Sequence, residues 1–176
     1  MKSLIKRSVR DPMDCVLIRV DNRLVHGQII EAWVPFLKAS RIIVVDDEVA
    51  SDFFRETVIK MAVPSDVEVR IHSVEDFVKY NALQGNDFND RVRSIILFSN
   101  VWDALRAYAL GFSYDKLNIG NIYNDECRQK LSACVLLSDQ DIASIQSLLQ
   151  RGVLIEMRRI PRERPLNIAE ALKHLL

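Results

Sequence analysis

One short segment of the chain concentrates the side chains that could carry out chemistry. It reads Asp21-Asn-Arg-Leu-Val-His-Gly-Gln28 and places an acid, an arginine and a histidine close together. Asp21 could accept a hydrogen bond from one ring nitrogen of His26 and leave the other nitrogen as a nucleophile. Arg23 could hold phosphate oxygens in a two-pronged contact. These residue types favour acceptance of a phosphoryl group by His26, without a metal ion.

The position of His26 favours the same chemistry. It is the last residue before a predicted helix, where free backbone N–H groups and the helix dipole attract an anion. Gly27 has no Cβ, so an incoming group could approach the main chain closely. The 5 glycines form neither G-x-x-x-x-G-K nor G-x-G-x-x-G, so we expect a bare phosphoryl group rather than a nucleotide, and no cofactor. On spacing alone, a purely structural role for a histidine before a helix stays open.

The elements that position this segment alternate between strands and helices along the chain. Strands are predicted over 15–21, 41–46, 67–73, 93–98, 116–119, 131–137 and 154–160, and helices over 27–37, 52–62, 74–83, 101–110, 139–150 and 168–175, with a polar loop over 85–90. The run 41–46 is nearly all apolar, which is typical of a parallel strand covered on both faces. The alternation predicts an α/β fold, a doubly wound and mostly parallel sheet with helices on both faces, in a single domain.

Helix starts and strand ends indicate where a site would lie. Ser73, Asn100, Ser138 and Asn167 each have an acid three residues later, which predicts four capped helix N-termini. In doubly wound sheets, ligands bind beyond the carboxyl ends of the strands. We therefore expect the loop after the first strand to meet candidate residues that follow other strands, namely Asp46, Asp47, Ser99 and Asn121.

Composition excludes several classes of function. The chain has 176 residues, with 24 basic and 24 acidic side chains, so it has no overall charge with which to hold nucleic acid. The 3 cysteines form no C-x-x-C pair, which disfavours structural zinc and indicates a reduced, cytoplasmic protein. Apolar runs are too short to span a membrane. We predict an N-terminal extension over 1–14 and the domain over 15–176.

Other reactive or aromatic side chains are assigned structural roles. His72 falls on the polar side of its strand and is expected to be exposed. Arg158 and Arg159 end an apolar strand and are predicted to be a solvated pair, although they could reach the same edge of the sheet. Trp33 is predicted to be a packing residue inside the first helix.

The segment Arg19-Val-Asp-Asn-Arg-Leu-Val-His-Gly-Gln28 closely resembles the phosphorylation-site segment of the mannose/sorbose-class IIB subunits of the bacterial phosphotransferase system. In that family it reads roughly R-[IV]-D-[DN]-R-[LF]-[IV]-H-G-Q. Two later segments, Arg41–Ala50 and Leu117–Asn121, are similar to the family's second strand with its loop and to a later strand end. The resemblance runs from about residue 15 to residue 165.

The resemblance implies a doubly wound α/β domain that carries a phosphoryl group. It would receive the group from a phosphohistidine on a IIA partner and pass it to a sugar brought in by membrane IIC and IID subunits, with which it would associate peripherally. His26 would be phosphorylated on Nδ1, with Asp21 and Arg23 as further catalytic residues. Phosphate-binding roles would fall to Arg19, Gly27 and Gln28. Arg19 lies within a predicted strand, so the physical argument supports Arg23 more strongly.

Three alternative functions compete with this interpretation. A receiver-like domain phosphorylated on Asp46 or Asp47 would need another acid at a strand end and a later lysine, which the sequence does not provide. A silent structural subunit is disfavoured by the intact His26, Arg23 and Gly27. A IIB-like regulator that serves no sugar uptake would have the same site, and so stays open at this point.

Overall fold

The computed structural model describes residues 14–84, 92–123 and 129–173, and the strands of this part of the chain form one large sheet and one small one. The strands are β1 (Cys15–Asp21), β2 (Arg41–Val45), β3 (Glu68–His72), β4 (Ser94–Phe98), β5 (Lys116–Asn121), β6 (Gln129–Lys130), β7 (Leu136–Leu137), β8 (Leu154–Met157) and β9 (Leu166–Asn167). The large sheet has the order β3-β2-β4-β1-β5-β8-β9. Its first six strands are parallel, and β9 pairs antiparallel with β8.

Helices cover both faces of this sheet. They are α1, which comprises a π-helical segment (Gln28–Trp33) and an α-helical turn (Val34–Leu37), α2 (Asp47–Ala50), α3 (Phe53–Met61), α4 (Val74–Gln84), α5 (Val101–Ala109), α6 (Asp139–Gln150) and α7 (Ile168–Lys173). Helices α1 and α3 pack on one face, and α4 to α7 pack on the other. The chain moves outwards from β1 to β3 and then back across to β8. Because such crossovers are right-handed, this reversal changes the face on which the helices lie.

Alternation along the central strands explains the two buried clusters. In β2, Ile42 and Val44 pack against α1, whereas Ile43 and Val45 pack against helices of the other face. All five residues of β2 are buried, as expected for a parallel strand between two helical layers. The predicted α/β fold, with a mostly parallel sheet and helices on both faces, is confirmed.

The predicted helix caps are present. Asn100 accepts a hydrogen bond from the N–H of Asp103 at 2.8 Å, and Ser138 forms a reciprocal capping box with Asp141. Ser73 accepts from the N–H of Asp76, and Asn167 caps α7 through the N–H of Ala169. Strand β1 and helix α6 have the predicted bounds.

Two predicted strands are shorter by three or more residues in the structure, whereas 41–46, 67–73 and 93–98 lose only one or two. The predicted strand 131–137 is wrong over most of its length, because Leu131 donates to the carbonyl of Val135 and makes a tight turn between β6 and β7. The predicted strand 154–160 ends at Met157, because the carbonyls of Arg158 and Arg159 accept hydrogen bonds from the Arg19 side chain. Helix α2 was not predicted.

Parts of some predictions fall outside the described residues. These are the extension over 1–14 except for Asp14, the loop 85–90 and the end of the last helix at 174–175. Within the part of the chain that is described, no helix has the length and apolar character needed to cross a membrane.

Candidate active site

The loop after β1 is shaped by one buried leucine. The N–H of Leu24 donates to the carbonyl of Asp21 at 2.8 Å, and Leu24 adopts a left-handed conformation with φ 53. That conformation costs about 1–2 kcal/mol for a residue with a side chain. Leu24 is only 7% exposed and packs beside Ile29, so its burial offsets the strain. The turn brings His26 to the start of α1, where its carbonyl accepts from the N–H of Ile29.

Asp21 is the centre of the hydrogen-bond network at this site. Its fully buried carboxylate accepts from Arg19 Nη2 at 2.8 Å, from Arg23 Nε at 3.2 Å and from His26 Nε2 at 3.0 Å. Burial by itself would raise the pKa of Asp21, but the hydrogen bond from His26, the charge of Arg19 and the hydrogen bond from Arg23 outweigh it and lower the pKa to about 2. Asp21 is therefore a permanent anion beneath the imidazole.

The contact with Asp21 determines which nitrogen of His26 is available. A carboxylate can only accept, so the neutral ring carries its proton on Nε2 and has its lone pair on Nδ1. The N–H of Gln28 points at Nδ1 over a long contact of 3.4 Å. The His26 side chain is 17% exposed, which is less than a position in an open loop suggests. Nδ1 is therefore the nitrogen suited to nucleophilic attack.

Arg23 is the solvent-exposed cation of the site. Its side chain is 43% exposed, and its guanidinium also donates to Gln28 Oε1 at 3.0 Å. Because Arg23 and His26 share Asp21 as a partner, the structure brings these three predicted residues together. Gln28 joins them through Arg23.

Gly27 is not required by the fold. It has an ordinary helical φ of −50, and an added Cβ would approach only Glu31, at 3.8 Å. The close approach of an incoming group at Gly27 stays a prediction.

Arg19 lies underneath the site rather than at its surface. Its side chain is fully buried, and Nη1 donates to Asn118 Oδ1 and to the carbonyl of Arg158. Nη2 donates to Asp21 and to the carbonyl of Arg159 at 3.2 Å. Both terminal nitrogens of the guanidinium therefore donate to protein acceptors. The phosphate contact predicted for Arg19 would need at least one of these nitrogens to be available.

Sequence reasoning missed three residues that hold Arg19 in place. Asn118 accepts from its guanidinium, and the ring of Trp33 lies 5.5 Å from its Cζ. Gly120 leaves the space that the guanidinium occupies, because a Cβ there would overlap with Arg19 Nη2 and Cζ. A polar residue in the middle of the apolar run Leu117–Ile119 was the available signal for Asn118.

The candidate residues at the other strand ends divide into two groups. Asn121 joins the site loop, since its carbonyl accepts from the N–H of Asn22 at 3.1 Å and its side chain donates to Asn22 Oδ1. The structure does not bring the others into hydrogen-bond contact with the loop 21–28, in the residues that it describes. Asp46 caps α2, Asp47 accepts from Arg106 and from the N–H of Val74, and Ser99 accepts from Asn100.

Two further predictions have clear outcomes. His72 is half-buried and stacks on Tyr80 with ring centroids 5.0 Å apart, so the expected exposure is wrong. Trp33 is buried as predicted, and it also donates from Nε1 to the carbonyl of Arg159 at 2.9 Å. In the described ranges, no three His, Cys, Asp or Glu side chains are grouped in a way that could hold a metal ion.

Comparison with known proteins assigns the chain to a family. The family described as "PTS system sorbose subfamily IIB component" matches residues 15–175. The chain belongs to this family. It is therefore an EIIB component of the mannose/sorbose class of the phosphotransferase system, a sugar phosphotransferase that carries phosphoryl groups for sugar uptake. This membership removes the receiver-like and structural-subunit alternatives and favours uptake over regulation.

Relatives and solved structures agree with this assignment. The fructose-specific EIIB component of Bacillus subtilis (strain 168) is 31% identical over 163 residues, which are 93% of this chain and 98% of that protein. The mannose-specific EIIAB component of Escherichia coli (strain K12) is 29% identical over 166 residues, 94% of this chain and 50% of that protein. The crystal structure of the IIBSor domain of the sorbose permease from Klebsiella pneumoniae has a TM-score of 0.83 and 30% identity, covering 93% of this chain and 99% of that one.

Proposed function

We propose that this EIIB component carries its phosphoryl group on Nδ1 of His26. The observation that carries the proposal is the hydrogen bond between His26 Nε2 and the buried carboxylate of Asp21. It fixes the ring proton on Nε2 and presents the lone pair of Nδ1 where α1 begins. A phosphoryl group at that nitrogen would meet the N–H of Gln28 and the positive end of the helix dipole.

The transfer step follows from this arrangement. Nδ1 attacks the phosphorus atom of a donor phosphohistidine, the N–P bond of the donor breaks, and the donor imidazole keeps that electron pair. The proton on Nε2 of His26 stays in place, where the charge of Asp21 stabilises the ring as Nδ1 gives up electron density. Positioning and charge supply the catalysis, as in other phosphoryl transfers.

The surrounding side chains take distinct roles in this proposal. Arg23 is exposed enough to turn from Asp21 and Gln28 towards the phosphoryl oxygens. Gly27 leaves room for the approaching group. We assign Arg19 to the support of Asp21 rather than to phosphate, because its guanidinium is fully buried and bonded to the protein. Asn121 holds the loop through Asn22.

The donor in this proposal is the phosphohistidine of a IIA protein or domain, and the acceptor is a sugar brought in by membrane IIC and IID subunits. The EIIAB relative supports the donor, since the chain matches half of a protein whose name joins A and B components. The relatives are named for several sugars, which favours sugar selection by the membrane subunits. We place the protein in the cytoplasm, attached peripherally to those subunits, with a carrier domain over 15–176 and an extension over 1–14.

The test is phosphoryl transfer from a phosphorylated IIA protein to wild type, His26→Ala and His72→Ala. The His72 variant is a matched control, because it removes an imidazole at the end of β3 that has no contact with Asp21. We expect the wild type and His72→Ala to gain acid-labile phosphate, and His26→Ala to gain none. Acid-labile phosphate on His26→Ala would refute the assignment, and phosphorus NMR showing the group on Nε2 would refute the role of Asp21.

A further inference from the structure

A cavity of about 370 Å³ lies beside the active site, and the phosphoryl-transfer step does not use it. It lies at the carboxyl ends of β5 and β8 and is also lined by the turn that contains Ser132 to Val135. Its apolar lining comes from Ile119, Val135, Met157 and Leu166. The volume is at the small end of the roughly 300–1,000 Å³ found for ligand sites, which suits a ligand with a single ring.

The polar lining of this cavity is mainly cationic. Arg158, Arg159 and Arg164 line it together with one acid, Glu163. Glu163 is already paired with Arg159, whose Nε donates to it at 2.8 Å. Arg164 makes no hydrogen bond or ion pair with any residue that the structure describes. The pair 159–163 is therefore neutral. Arg158 lies 4.0 Å from Glu156, which also pairs with Lys116 at 2.7 Å, so one acid faces two cations there. With Arg164 added, the net charge around the cavity is positive and favours an anion.

Arg158 carries a buried donor that no acceptor satisfies. Its Nε is shielded from solvent and makes no hydrogen bond, and it lies 4.0 Å from Glu156 Oε1. Buried polar groups without a partner are rare, and a guanidinium has the planar donor geometry that fits phosphate. Because Arg158 also lines the cavity, its guanidinium is a donor that an anionic ligand there could use.

The combination of groups identifies a class of ligand. Two arginines fit a phosphate, the apolar lining fits the C–H groups of a sugar ring, and Ser132 and Glu163 can bond to hydroxyl groups. We propose that the cavity binds a hexose phosphate, with its phosphate at Arg158 and Arg164. The identification of this ester as the reaction product rests on the proposed function, whereas the binding site itself does not.

The cavity is connected to the phosphorylation site by direct contacts. Gly120 lines the cavity and lies against the guanidinium of Arg19, which donates to Asp21, the partner of His26. The carbonyls of Arg158 and Arg159 accept from the same guanidinium. The cavity and the phosphorylation site therefore share the guanidinium of Arg19 as a neighbour, while their own polar side chains are separate.

Binding is measurable through Trp33, because Arg158 Cζ lies 4.9 Å from its ring centroid. The full chain carrying Trp102→Phe, which removes the other tryptophan, is titrated with glucose 6-phosphate, inorganic phosphate and glucose. We expect saturable binding of glucose 6-phosphate and at least tenfold weaker binding of the other two probes. Arg164→Gln should weaken the ester about tenfold, because it removes a charge-assisted contact.

Two control variants separate this site from its neighbours. Arg162→Gln is matched to Arg164→Gln in chemistry and loop, but Arg162 lines a different groove beside Phe36, so its affinity should equal that of the wild type. Arg23→Gln reports on anion binding at the phosphorylation loop and should also leave the affinity unchanged. The proposal is overturned if Arg23→Gln weakens the ester and Arg164→Gln does not, if Arg162→Gln and Arg164→Gln weaken it equally, or if inorganic phosphate binds as well as the ester.

The same titration with His26→Ala distinguishes failure of this proposal from failure of the proposed function. This variant cannot carry phosphate on His26, yet its cavity is intact, so we expect unchanged affinity for glucose 6-phosphate. Absence of saturable binding in both proteins would overturn the cavity proposal and leave the role of His26 to the transfer assay.

Discussion

Replacing Gly120 by alanine tests the support that Arg19 gives to the active site without removing any charged group. An added Cβ would overlap with Arg19 Nη2 and Cζ and would lie 2.5 Å from Nη1. An arginine tip is usually free to move, but this one is fully buried and bonded to four acceptors. The guanidinium therefore has to give up bonds to make room.

The structure sets the expected size of the effect. Displacement of Nη2 breaks its hydrogen bonds to Asp21 at 2.8 Å and to the carbonyl of Arg159 at 3.2 Å. Hydrogen bonds to charged groups contribute about 1.5–3 kcal/mol each, and breaking a buried ion pair costs about 3–5 kcal/mol. We expect the free energy of unfolding of Gly120→Ala to fall by about 3–5 kcal/mol. Transfer to His26 should slow as well, because Asp21 loses a partner.

The assay is urea denaturation followed by circular dichroism, combined with the rate of phosphoryl transfer from phosphorylated IIA protein. Gly27→Ala is the matched control for stability, because an added Cβ there meets only Glu31, at 3.8 Å, and its φ of −50 suits any residue. We expect that variant to unfold within about 1 kcal/mol of the wild type. Equal stability of the two alanine variants would show that Arg19 relocates without cost and would refute the support role.

Two further predictions concern Asp21 and Arg23. Arg23→Gln should slow phosphoryl transfer by roughly 10- to 100-fold, because it loses a charge-assisted contact to the phosphoryl group. The free energy of unfolding should change by under about 1 kcal/mol, because the side chain is 43% exposed. An unchanged transfer rate would show that Arg23 has no role in the transfer. Asp21 binds a proton less readily in the folded protein, where its pKa is about 2, than at its ordinary pKa of 3.8. The ionised carboxylate therefore contributes about 2 kcal/mol to the free energy of unfolding. This contribution should be complete above about pH 4 and should be lost as the pH falls towards 2. Denaturation at a series of pH values should show that slope in the wild type and a weaker one in Asp21→Asn; parallel slopes would contradict the lowered pKa.

The two arginines that flank Asp21 differ in exposure because of where they lie in the chain. Arg19 and Arg23 are both two residues from Asp21, on opposite sides of it, and both donate to its carboxylate. Arg19 lies inside β1, and its side chain reaches the carbonyls that follow β8. Arg23 lies in the turn after β1, and its side chain reaches solvent. Chain position relative to the strand end thus separates a supporting cation from one that can meet phosphate.

The sequence by itself determined the local elements and the candidate nucleophile. Strand β1 and helix α6 have the predicted bounds, and the caps at Asn100 and Ser138 are present, because hydrophobic spacing and capping act between near neighbours. Asp21, Arg23 and His26 are close in the chain for the same reason. Their mutual contacts, all within the turn after β1, follow from local geometry and residue type.

Only the tertiary structure decided what lies beneath that turn. Arg19 meets Asn118 and the carbonyls of Arg158 and Arg159 across separations of 99, 139 and 140 residues, and Gly120 provides the space in which it does so. These contacts exist because β1, β5 and β8 are adjacent in the sheet, an order that alternation along the chain does not specify. The same order leaves Asp46 and Asp47 to cap helices, because β2 is separated from β1 by β4.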